Sequence, residues 1–267
     1  MQPKLKPIVS AALLNKFRTT PNLPVGSWYL ITAVTLCVLN RPFELPAVWN
    51  YALANSAIPG SDTEDYVRKQ YQTEKLGTPQ DIISAREDGR ETALQIARRI
   101  REGLLKSAII GGLPKAINAL HTFRQCTPGH LQSDPNASPT GRRSELQQPA
   151  TALLTRGADF FDNTYGKISR RVSSNLANSY DDLGLTAQLL YSYILSNTKV
   201  LTAKETSFVL IAGLIPQDVN PQLKGHLKGA VNNGATLEEV RAVRSIVLEL
   251  VELHGVDWDR REPVAKI

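Results

Sequence analysis

The sequence predicts an all-α protein made of two related halves of antiparallel helices. Three observations predict it. Apolar residues recur three and four positions apart along most of the chain, the spacing of one buried helix face. Helix starts are marked, at Thr202 with Glu205 and at Thr236 with Glu239, where a hydroxyl and a carboxylate three residues on satisfy two orphan amides. Alternating strand patterns around tight hairpin turns do not occur. Asn233-Gly234 reads as a helix stop, with Gly234 at the left-handed position.

The elements follow in order. Residues 1–25 form a basic amphipathic segment. No acid occurs from Met1 to Phe43, while Lys4, Lys6, Lys16 and Arg18 are positive. Leu5, Ile8, Val9, Leu13 and Phe17 recur at helical spacing until Thr19, Thr20 and Pro21. That composition fits a mitochondrial transit peptide or a solvated basic tail. The first half spans 26–126 and holds an apolar helix from Trp28 to Leu39. A charged insertion at about 56–90 interrupts it, with a helix start at Thr78-Pro79. From Thr92 to Phe123 the apolar face runs through Ile96, Ile100, Leu104 and Ala108. Gly111, Gly112 and Pro114 break that run and predict a tight helix-to-helix junction. Residues 127–149, with Pro128, Pro135, Pro139 and Pro149, read as an exposed linker. The second half spans 150–257 and a tail covers 258–267. Ala265, Lys266 and Ile267 have the small-basic-aliphatic form of a peroxisomal C-terminal signal. A peroxisomal import receptor is therefore an expected partner. The peroxisome is the expected location, with the mitochondrion as an alternative or additional one.

Composition excludes several classes. The chain has 267 residues, 42 % hydrophobic and 21 % charged, which is the balance of a globular protein. The longest apolar run, Ile31 to Leu39, is too short for the ~20 residues of a membrane span. The two cysteines, Cys37 and Cys126, exclude a disulfide framework and an all-cysteine zinc site. His121, His130 and His254 make no metal-ligand spacing, so no metal is expected. No glycine-rich phosphate loop follows a strand. A net charge of +6 invites a nucleic-acid reading. The excess lies partly in the N-terminal segment and the other basic pairs alternate with acids, so no nucleic acid is expected.

The halves match in pattern. Asn40-Arg41-Pro42 through Asn55 can be laid over Val219-Asn220-Pro221 through Gly234, and the apolar helix before each also aligns. This predicts an old duplication.

Several segments carry a family resemblance. Arg156-Gly157, Phe160 and Tyr165-Gly166 open the second half. Leu201-Thr202-Ala203-Lys204-Glu205, the apolar helix Phe208 to Ile215, Leu223-Lys224-Gly225-His226-Leu227 and Ala230 to Thr236 follow. In this order and spacing they resemble the carboxymuconolactone decarboxylase family, which includes the alkylhydroperoxidase D-like proteins. In the first half, Gly111 to Leu120 resembles the family's helix-closing segment. The resemblance covers roughly 26–253 and points to a fungal organellar member. It implies a two-layer helical packing and a homo-oligomer.

The family's hydroperoxidase branch carries Cys-x-x-Cys-x-x-x-His with an upstream glutamate. Taking His226 as that histidine, the cysteine positions fall on Val219 and Gln222 and the glutamate on Ser207. A thiolate is the required nucleophile for that chemistry, so a thiol peroxidase is not expected. In the first half the position of His226 holds Ala47. What the resemblance leaves is a cofactor-free acid–base enzyme, a decarboxylase or lactone-processing one, acting on a small anionic substrate.

His226 is the candidate general acid or base, since imidazole exchanges a proton near neutral pH. Asp218, Gln217 and Gln222 are candidates to orient it or to contact substrate. Lys224, Lys228 and Arg156 are candidates to attract an anion. Each has a plainer alternative: His226 as a hydrogen-bonded core residue, the lysines as a solvated face, Tyr165 and Phe160 as core anchors. A second function class stands beside the enzyme, a non-catalytic oligomeric scaffold or binding protein derived from the same family.

Overall fold

The computed structural model describes residues 6–56, 92–134, 136–256 and 263–267. The insertion and the Thr78-Pro79 helix start lie outside the described residues. Among those residues all regular structure is helical, in line with the sequence.

Twelve α-helices are described: α1 (Ala11–Arg18), α2 (Ser27–Val38), α3 (Leu45–Ser56), α4 (Ala93–Gly111), α5 (Leu113–Cys126), α6 (Arg142–Glu145), α7 (Ala150–Tyr165), α8 (Ser169–Ser179), α9 (Asp181–Leu190), α10 (Ala203–Leu214), α11 (Asn220–Asn232) and α12 (Leu237–Leu253). The expected junction is present: α4 ends at Gly111 and α5 begins at Leu113, with Gly112 at φ 93° between them. Both expected capping boxes form, at Thr202 and Thr236, and a third occurs at Thr92 with Gln95.

Helices α2 and α10 are the centre. All of α2 is buried, as is α10 from Thr206 onward, because both are apolar on every face. They pack on each other; α4 and α12 cover both, and α11 lies on α10. One core joins them, with Leu14, Trp49, Ile100 and Phe123 from the N-terminal part beside Phe208, Leu227 and Val247. Removing a leucine-sized side chain from such packing costs about 2–5 kcal/mol.

The N-terminal segment belongs to this body. Leu14 and Phe17 are each 1 % exposed. The buried Glu44 accepts from the amides of Ile8 and Val9 at 2.8 and 2.7 Å and pairs with the buried Arg41, which also donates to the Lys6 carbonyl. The proline-rich connection packs down as well: Thr127 and Leu131 are buried, and the Thr140 carbonyl accepts from Asn197.

The remaining helices form a side structure. The α8–α9 hairpin rests on α7, and α9 widens into a π turn at Tyr191–Leu195. Three cations cap the carbonyls this turn leaves open. Arg156 donates to the carbonyl of Ser192, Arg142 to those of Tyr193 and Ile194, and Lys106 to those of Leu195 and Asn197. Positive charge at the C-terminal end of a helix is favoured by its dipole.

Candidate functional site

The site is built where α11 and α7 meet the π turn. Along α11, Leu223, Leu227 and Ala230 form the buried stripe, and His226 falls within it at 7 % exposure. Tyr165 is the last residue of α7, and Tyr191 opens the π turn. Two close approaches bring the three together. Gly157 lies against the backbone of Ser192, and Gly229 against that of Thr164, so α7 is held between the π turn and α11.

The hydroxyl of Tyr191 donates to that of Tyr165 at 3.3 Å, and the Tyr165 hydroxyl lies 3.3 Å from His226 Nε2. The rings form one cluster: Phe161 stands 4.6 Å from Tyr165 and 4.9 Å from Tyr191, and Tyr165 5.7 Å from His226. Nδ1 of His226 is buried and has no partner among the described residues. Burial pushes the His226 imidazole down to about 4. Burial likewise raises Tyr165, and raises Tyr191 well above the ordinary phenol value. Near neutral pH all three groups are therefore uncharged; Tyr191 donates to Tyr165, and Tyr165 donates on to His226 in the imidazole tautomer that carries its proton on Nδ1.

Tyr191 also lines an open cavity of about 680 Å³ between α7, α8 and α9. Gly157, Phe161, Ser173, Ala177 and Gln188 are among its other walls. That volume is ordinary for a small-molecule site. π turns inside α-helices occur often at functional positions.

The other candidates do not gather at His226. Asp218 is exposed, in the left-handed region at φ 58°, and accepts from the Asn220 side chain. Gln222, Lys224 and Lys228 are exposed on α11. Gln217 donates to the Gly213 carbonyl at 2.6 Å. Arg156 holds Glu145 with both terminal nitrogens and donates to Ser196 Oγ at 3.0 Å. Ser207 is buried and accepts from Asn233 at 2.9 Å, in a polar cluster with Thr164 at the end of α11. Burial raises both thiols; Cys37 lies against Ser107 and Cys126 at the end of α5. Tyr191 was not singled out by sequence, because the turn that places it carries no motif.

The C-terminal residues pack onto the body. Arg244 donates to the carbonyls of Val264 and Ala265, both at 2.8 Å, and the Ala265 amide donates to Asn220 Oδ1 at 2.8 Å. Lys266 is exposed, while Ala265 and Ile267 are half-buried.

No helix among the described residues is long and apolar enough to cross a membrane. No family model matches the chain, and no solved structure matches it. Two fungal relatives do. The Saccharomyces cerevisiae protein named Peroxisomal protein 2 is 34 % identical over 261 residues, covering 86 % of this chain and 89 % of its own. The Schizosaccharomyces pombe protein of the same name is 37 % identical over 164 residues, covering 60 % of this chain and 72 % of its own. The chain belongs to the family of these yeast proteins named Peroxisomal protein 2.

Proposed function

We propose that the chain is a peroxisomal, cofactor-free acid–base enzyme of carboxymuconolactone decarboxylase-like type. Its substrate occupies the α7–α9 cavity, and its proton path is Tyr191, Tyr165 and His226. The hydrogen-bonded chain from the cavity wall to the buried imidazole carries this reading. The Tyr191 oxygen accepts a proton from the substrate as it passes its own to the Tyr165 oxygen, and Tyr165 passes its own to His226 Nε2. Burial disfavours the imidazolium, so the proton is held briefly and returned to product.

The test is untargeted metabolite turnover by purified protein in an organelle extract, beside His226→Ala and Tyr191→Phe. A compound consumed by the unsubstituted chain, and at least tenfold more slowly by both variants, is the expected result. Turnover unchanged in both variants overturns the proton path.

The printed names of the relatives support the peroxisomal location. The buried Leu14 and Phe17 argue against a cleaved mitochondrial leader, since cleavage would strip the core of both. Ala265, Lys266 and Ile267 would serve as the signal; an import receptor reading them must first lift them from Arg244 and Asn220. Deleting the three from a fluorescent fusion should disperse its peroxisomal pool.

One observation favours the second reading, an oligomeric scaffold. Leu185 and Leu189, one turn apart on α9, are 50 % and 41 % exposed. Such a surface suits a second copy of the chain. Leu185→Glu with Leu189→Glu should then reduce the mass measured by light scattering. The shared order of a buried helix, a short turn and a second helix in α2–α3 and α10–α11 supports the duplication.

A further inference from the structure

A second cavity, of about 520 Å³, lies between α4, α5 and the connection that follows them. Among its charged lining residues, arginines outnumber carboxylates four to two. Arg98 and Arg101 project from α4 within one turn, and Arg124 from the last turn of α5. Counter-charges are scarce. Glu102 also lines the cavity, but Arg142 takes both its oxygens and Lys106 stands 3.8 Å away. Asp134 gives one oxygen to the Asn136 amide. Arg101 donates one N–H to the Leu131 carbonyl at 2.8 Å. Among the described residues neither Arg98 nor Arg124 has an ion-pair partner. Burial, with the charge of Arg98 added, pushes Arg101 down to about 10. An anion among the three guanidinium groups would reverse that strain through charge-assisted, forked hydrogen bonds. The rest of the wall is mixed: Leu94, Leu105, Leu120 and Val200 are apolar, and Gln132 and Thr140 are among its neutral polar members.

We propose that this cavity binds an organic anion, a carboxylate or phosphate ester on an apolar body. Arg98, Arg101 and Arg124 hold the charged group, and Leu105, Leu120 and Val200 cover the body. The volume is that of a small-molecule site. His226, Tyr165 and Tyr191 do not line it, so this site stands or falls independently of the acid–base reading.

Titration calorimetry on the full chain at low salt tests it, with octyl phosphate, octanoate, 1-octanol and inorganic phosphate as probes. One octyl anion should bind per chain, more weakly as salt rises. Arg98→Gln with Arg124→Gln should raise its Kd at least tenfold, and 1-octanol should bind at least tenfold more weakly than the anions. Arg124→Glu, at an exposed position that leaves the fold undisturbed, should have the same effect as the glutamine pair. The preferred octyl anion names the charged group. Undiminished binding by Arg124→Glu, octanol binding as tightly as the anions, or no binding of either anion overturns the proposal. Inorganic phosphate binding as tightly as octyl phosphate overturns its apolar half.

Discussion

A Cβ built on Gly157 would stand 2.5 Å from the Cα of Ser192 and 2.7 Å from its backbone nitrogen, so α7 and the π turn meet backbone to backbone. The same two elements carry Tyr165 and Tyr191, whose hydroxyls share a hydrogen bond at 3.3 Å. Gly157→Ala therefore forces the two elements apart, and overpacking of this kind costs about 1–3 kcal/mol. Alanine gains up to ~1 kcal/mol in helix propensity over glycine, so a measured loss reports the packing. Urea unfolding should show a lower midpoint, with a changed near-ultraviolet tyrosine signal. A midpoint at or above that of the unsubstituted chain would show that α7 has room.

His226 makes stability depend on pH. The unfolded chain takes up a proton there near 6.5, the folded chain only near 4. Between those values the unfolded state binds more protons, so stability falls as pH falls. The full interval corresponds to about 3 kcal/mol. His254, lowered by burial and by Arg41, adds a smaller contribution of the same sign. His226→Gln should lose less stability than the unsubstituted chain between pH 7 and 4.5, by about 2 kcal/mol. Equal losses of unfolding free energy in the two proteins between the two pH values, measured by urea unfolding, would sink this assignment.

Lys106 is fully buried and donates to Leu195 O at 3.1 Å, Asn197 O at 2.9 Å and Thr206 Oγ1 at 2.6 Å. Burial pushes its ammonium down to about 8, opposed by the charge of Glu102. Lys106→Met leaves those acceptors unpaired and Glu102 with Arg142 alone, a loss of about 3–5 kcal/mol. Lys204→Met, which breaks the half-exposed pair with Glu239, should cost about 0–1 kcal/mol. The ratio of the two losses in chemical unfolding is the check.

The tail is held by Arg244 and Asn220. Arg244→Ala should raise hydrogen exchange at the Ala265 amide at least tenfold and leave the amides of α2 unchanged. Equal exchange at Ala265 in both proteins would mean the tail is held by its half-buried side chains alone.

Much of the fold is legible in the residues themselves. Thr202, Glu205, Thr236 and Glu239 mark helix starts because a cap is a local hydrogen-bond pattern three residues long. Gly112 and Pro114 mark the α4–α5 junction for a similarly local reason. His226 stands out because it interrupts an apolar stripe. Arg156 was legible as a cation but not as a cap, because its acceptors Ser192 O and Ser196 Oγ lie 36 and 40 residues away.

By itself the sequence determined the helical class, the capping sites, the α4–α5 break and the absence of a redox cysteine pair. These depend on neighbours in the chain or on composition. The tertiary structure decided that α1 packs as core, that Lys106, Arg142 and Arg156 close the π turn, and that Tyr191 joins Tyr165 and His226. Each needs groups far apart in sequence to meet at hydrogen-bond or packing distance, and helical periodicity specifies which face is buried without specifying what it meets.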